Sequence, residues 1–104
     1  MREADRRHAL YCFGVLRAAL GLCAMPGDDE LPDECVRLFV SWHLVTDGVR
    51  HLRGCIGTFE PQPLAQGLRA YTIRSACHDK RFPPICAAEL ESLACTVSLL
   101  TPME

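Results

Sequence analysis

The 104-residue sequence lacks several of the features that assign a function quickly. None of its seven cysteines (12, 23, 35, 55, 77, 86 and 95) belongs to a CxxC pair, and their odd number and irregular spacing leave a thiol over in any closed disulfide framework. This removes the strongest zinc signals, and Cys77-His78 cannot converge on one ion from a regular helix. No metal and no cofactor is expected, and free thiols in a reducing, intracellular compartment fit this cysteine usage best. No apolar run approaches the roughly 20 residues of a membrane span, so no membrane association is expected. Residues 9–25 imitate a secretory apolar segment, but Arg17 interrupts them and Glu3 and Asp5 are wrong for a basic leader.

An overall excess of positive charge is also missing. The formal charge is -2, which removes the simplest case for nucleic-acid binding. Between 50 and 81, however, Arg50, Arg53, Arg69, Arg74, Lys80 and Arg81 face only Glu60 and Asp79, a local net of +4. A solvated face is the simpler reading, and a nucleic-acid contact is the alternative. No internal repeat, low-complexity tract or linker divides the chain, so residues 1–104 read as one domain.

What is present is a clear sequence of periodicities. From about Glu3 to Leu22, Cys12, Val15, Leu16, Ala19 and Leu22 recur at helical spacing, and the helix should end near Gly21. The acidic, proline-bearing run Pro26 to Glu34 reads as a loop. Cys35 to Val45 alternates strictly, with Val36, Leu38, Val40, Trp42 and Leu44 on one face and Arg37, Phe39, Ser41, His43 and Val45 on the other. Thr46-Asp47-Gly48 supplies a turn, and Val49 to Thr58 the returning strand of a hairpin.

A two-residue Asp47-Gly48 loop would put Arg53 and Cys55 on the Val40/Trp42 face, mixing charge into the apolar row. A three-residue loop, opposing Leu52 to Trp42 and Ile56 to Leu38, is therefore expected. It makes Leu52 and Ile56 core residues and gathers His51, Arg53 and Cys55 opposite His43, Ser41 and Phe39, with His43 facing His51.

Pro61 and Pro63 close the strand. Pro63 suits a first helical position, and Leu64 to Cys77 places Leu64, Leu68, Tyr71 and Ser75 on one side of a second helix. Asp79 to Ile85 must be loop because of Pro83-Pro84, with Phe82 as its core anchor. A helical turn over Ala87 to Leu93 and a strand over Cys95 to Thr101 complete the order αββαβ. This is an α+β fold with a β-hairpin, a partly antiparallel sheet and helices packed on it.

The run Leu52-Arg53-Gly54-Cys55-Ile56-Gly57-Thr58 resembles the AMMECR-type domain family, and Gly67-Leu68-Arg69-Ala70-Tyr71 with Phe39-Val40-Ser41-Trp42 resembles its eukaryotic branch. The likeness continues through Pro63-Leu64, Asp79, Arg81-Phe82-Pro83-Pro84, Glu89-Leu90 and Val97-Ser98-Leu99-Leu100-Thr101. It implies an α+β domain without a firmly assigned activity, suspected of serving basic cytoplasmic or nuclear processes. It also implies a domain about twice this length, so the chain is expected to be the N-terminal half of one. If that half stands alone, exposed apolar surface favours a protein partner or a dimer. Cys86 stands at a helix-start position where the family often has Ser or Thr, and a thiol caps poorly.

Cys55 is the nucleophile candidate, with Arg53 two residues along to depress its pKa or to contact an oxyanion. Its weakness is the lack of a base. His51 lies about 13 Å along the strand at ~3.3 Å per residue, and His43, placed opposite His51, is as far. His78 or a residue outside this chain would have to serve. The bland alternative is a small buried side chain between glycines. Gly54 and Gly57 mark a bulge or a close approach by a ligand or another backbone. With Thr58, Asp79 and Arg81 they are the ligand-binding candidates, although for Asp79 and Arg81 an ion pair that holds their loop is the favoured reading. His43 and His51 alone are too few for a metal site. A non-catalytic interaction domain, a Cys55-dependent transferase, hydrolase or redox enzyme, and a nucleic-acid module using residues 50–81 therefore all stay open, the first being favoured.

Overall fold

The computed structural model describes residues 2–3, 6–27 and 31–100. Its elements are β1 (Arg2–Glu3), α1 (Arg6–Ala19), β2 (Cys35–Thr46), β3 (Val49–Pro63), α2 (Leu64–Cys77), a 3-10 helix (Ala87–Ser92) and β4 (Leu93–Leu100). The strands form one sheet in the order β1-β4-β2-β3 with every pairing antiparallel. The α+β class holds, and the sheet gains the short β1, which pairs its two residues with Leu99 and Ser98.

The alternation of β2 survives intact. Val36, Leu38, Val40 and Trp42 are buried beneath both helices, while Phe39, Ser41 and His43 are half-buried on the other face. Trp42 anchors the core. Its ring meets Phe13 of α1 edge-on at 5.0 Å, and its Nε1 donates to Ser75 Oγ of α2 at 3.1 Å. Ser75 Oγ in turn donates to the Tyr71 carbonyl at 2.6 Å, so the buried indole N–H and the hydroxyl are both satisfied.

α2 buries the expected stripe of Leu64, Leu68, Tyr71 and Ser75. Pro63 is its cap rather than its first residue, because ψ 134° is not yet helical. α1 is shorter than its periodicity suggests. It buries His8, Tyr11, Cys12, Val15 and Leu16 but leaves Ala19 exposed, and Leu22 lies outside it at 55% exposure. Gly21, at φ 79°, follows its last turn as expected. β3 continues through Pro61 to Pro63, which an edge strand tolerates because no ladder hydrogen bond is demanded of the proline nitrogens. In β4 the strand begins at Leu93, and the expected end at Thr101 lies outside the described residues.

The hairpin register differs from the expected one, and the reason is local. The loop has two residues, Asp47 (φ 53°) and Gly48 (φ 77°), both left-handed as a type I′ turn requires, and Thr46 opposes Val49. The pairing then slips by one residue: His43 opposes Leu52, but Trp42 opposes Gly54. Arg53 is the extra, bulged residue. Beyond it Ser41 opposes Cys55, Val40 opposes Ile56 and Phe39 opposes Gly57. Leu52 is therefore not core. It lies on the His43 face at 41% exposure, whereas Ile56 packs against the core opposite Val40 instead of Leu38. His51 opposes Leu44 and not His43.

Candidate functional site

The bulge decides what each residue of the Leu52 to Thr58 run does. Arg53, freed from the ladder and 9% exposed, turns its guanidinium onto the segment that follows α2. Nε and Nη2 grip the two Glu89 carboxylate oxygens at 2.8 and 2.9 Å, Nη1 donates to the Pro83 carbonyl at 2.6 Å, and Nη2 to the Pro84 carbonyl at 3.3 Å. This fork geometry suits Arg and no other side chain. The Arg53 guanidinium holds the Glu89 carboxyl below its ordinary pKa, and the Cys86 N–H, donating to Glu89 Oε1 at 3.1 Å, adds to the effect. Glu89 thus starts the 3-10 helix where the Cys86 thiol is a weak cap.

Gly54 opposes Trp42 directly beneath α2, and a methyl group there would overlap the Ser75 carbonyl oxygen. At Gly57 it would overlap the Leu38 carbonyl and the Phe39 ring. Both glycines therefore serve close packing of the chain against itself.

The backbone of Cys55 faces the free edge of the sheet, and the Asp79 loop satisfies it. The Cys55 N–H donates to Asp79 Oδ2 at 3.0 Å, and its carbonyl accepts from Arg81 Nη2 at 3.2 Å. Arg81 simultaneously binds both Asp79 oxygens, Nε to Oδ1 at 3.0 Å and Nη2 to Oδ2 at 2.7 Å. The Arg81 guanidinium, helped by the Cys55 and Arg81 N–H groups, holds the Asp79 carboxyl far below the usual range despite its burial. Asp79 in turn raises the Arg81 pKa. The pair acts as a surrogate strand along the edge. Phe82, expected as an anchor, is only half-buried with Arg81 over its ring at 5.4 Å. Ile85 anchors the loop instead, at 2% exposure, and its N–H donates to the Ala76 carbonyl at 2.9 Å.

The Cys55 thiol lies on the opposite, open face of the sheet, half-buried, and accepts from Ser41 Oγ at 3.1 Å. Arg53 does not accompany it there. His43 does: with Ser41 facing Cys55 and Leu52 facing His43, His43 is diagonal to Cys55, roughly 7 Å between Cβ atoms. Its Nδ1 is buried without a partner. Thr58 Oγ1 accepts from the Glu60 N–H at 3.0 Å and so is used within its own strand. Among the described residues no three His, Cys, Asp or Glu side chains converge as a metal site. Likewise, no helix among the described residues is long and apolar enough to cross a membrane.

Two participants carried no chemical signal in the sequence. Glu89 is marked only as part of the family-like Glu89-Leu90 pair, and Ser41 only by strand parity; neither announces its partner.

Comparison with known proteins agrees with this construction. The AMMECR1 family model matches residues 10–104. The chain belongs to the AMMECR1 family. It is 43% identical to an uncharacterised protein of Arabidopsis thaliana, covering 100% of this chain and 49% of that protein. An uncharacterised protein of Schizosaccharomyces pombe is 33% identical over 95% of this chain and 52% of its own length. In three dimensions the AMMECR1-type fold superposes on the crystal structure of an uncharacterised Pyrococcus horikoshii protein with a TM-score of 0.71 and 31% identity, over 94% of this chain and 53% of that one. The chain therefore spans about half the length of these relatives.

Proposed function

We propose that this AMMECR1 chain is a non-catalytic interaction module acting inside the cell, in the cytoplasm or nucleus, and that it binds a protein partner through the open face of its sheet. The supporting observation is the division of labour in the motif: Arg53, the Cys55 backbone, Asp79, Arg81 and Glu89 are spent on holding the 79–89 segment to β3. What remains toward solvent includes large apolar side chains set among the polar Ser41, His43 and Arg50. Phe59 is 71% exposed with Phe39 edge-on at 5.3 Å, and the exposed Leu52 and Val45 lie on the same face. Seven free cysteines support a reducing location.

The test is in-cell cross-linking of three forms. A partner adduct should persist in Cys55→Ser and disappear in the double variant Leu52→Asp/Phe59→Asp, folding being checked by circular dichroism. Loss in Cys55→Ser with retention in the double variant would contradict the reading.

A second reading keeps one specific support. The bulge that removes Arg53 from Cys55 brings His43 diagonal to the thiol, so a Cys55 enzyme with His43 as base is the alternative. A nucleic-acid role is less favoured, because Arg53, Arg69, Arg74 and Arg81 of the basic segment are engaged with Glu89, Tyr11, Tyr71 and Asp79.

A further inference from the structure

A different pair of thiols lies between α1 and β4. Cys12 belongs to the buried stripe of α1 and is 0% exposed. Cys95 opposes Trp42 across the β2–β4 ladder, so it shares the helix-covered face and packs against the same core. Phe13, the residue after Cys12, rests its ring on that Trp42, which fixes α1 above Cys95. The buried stripe of α1 and the covered face of β4 thus make the two thiols side-chain neighbours. The Thr72 hydroxyl of α2, fully buried and without an oxygen or nitrogen partner, lies beside Cys12. A core that places two thiols and a hydroxyl together under a helix has made a polar pocket where apolar packing would serve stability equally well.

We propose that Cys12 and Cys95 are a redox-active dithiol that closes reversibly to an intramolecular disulfide joining α1 to β4. This is independent of the role of the open face. The oxidant class is a low-molecular-weight disulfide such as glutathione disulfide. Cys95, half-buried, meets it first: the thiol gives its proton to solvent, the thiolate attacks one sulfur of glutathione disulfide, and the first glutathione leaves as thiolate and is protonated. Cys12, deprotonated in turn, attacks the Cys95 sulfur and expels the second glutathione. Two protein thiols are oxidised by two electrons and one glutathione disulfide is reduced to two thiols. The neighbouring Cys12, with burial added, holds the Cys95 thiol protonated, so closure is slow at neutral pH.

The experiment equilibrates the purified chain across glutathione/glutathione disulfide ratios, quenches it with N-ethylmaleimide and maps it without reduction. Trypsin isolates His8 to Arg17, which holds Cys12, and cleavage after Glu91 separates Cys95 from Cys86. The expected product joins the Cys12 and Cys95 peptides, raises Tm by several degrees because a long loop is closed, and reverts with dithiothreitol. In Cys12→Ala, Cys95 should stop at the mixed glutathione disulfide. If Cys95 in the wild-type chain also stops there, the proposal fails. It fails equally if only the exposed Cys23, Cys35 and Cys86 oxidise, or if the two thiols pair with other cysteines.

Discussion

The two faces of this sheet are built from alternate residues of the same strands, yet they are finished very differently. On the covered face Trp42, Val40, Leu38 and Val36 are at most 1% exposed, and Gly54 brings β3 into backbone contact with α2. On the open face Phe39, Ser41, His43 and Cys55 are half-buried, with Leu52 and Phe59 well exposed. One face is complete within these residues and the other is still apolar enough to be covered. The Leu52 to Thr58 run serves both: its backbone, glycines and Arg53 fasten the covered side and the sheet edge, while Leu52 and the Cys55 thiol look outward.

The largest break in this contrast is Trp42→Ala, which empties the core centre and removes the donor to Ser75 Oγ. It should cost about 3–5 kcal/mol by chemical denaturation. Arg53→Met should follow at about 3 kcal/mol, because Glu89 and the Pro83 carbonyl lose a partly buried partner. Glu89→Gln in the same chain should be strongly non-additive in a double-mutant cycle.

Acid should act through the edge and not through the open face. Asp79 and Glu89 have depressed pKa values in the folded chain, so their stabilisation is fully present above the unfolded carboxylate range near about 4 and is lost as pH falls below it. Denaturation midpoints measured from pH 6 downward should drop, and Asp79→Asn should flatten the drop while lowering stability at pH 6. The smallest effect belongs to the open face: Phe59→Ser should stay within about 0.5 kcal/mol of wild type while reducing self-association in sedimentation.

Much of the covered face was legible in the sequence, because strict alternation in β2 and the Leu64, Leu68, Tyr71, Ser75 stripe in α2 are local patterns. The site was legible only as a motif. Gly54 signals a bulge or a close approach but does not say that Arg53 is the extra residue, because its partners lie some thirty residues on, in two proline carbonyls and Glu89. A single register was therefore carried through the hairpin, placing Leu52 inside, Arg53 beside Cys55 and His43 opposite His51. The two-residue turn and the bulge offset one another, which a pattern of residue types does not reveal.

The central claim, that this run is architecture whose thiol does no chemistry, is tested most directly by peptide-resolved alkylation of Cys55 with iodoacetamide from pH 5 to 9. The account predicts a rate at pH 7 no faster than that of an unstructured thiol, and unchanged by His43→Ala. A Cys55 alkylated many-fold faster at pH 7, with that advantage removed by His43→Ala, would contradict it and establish the Cys55–His43 pair as reactive.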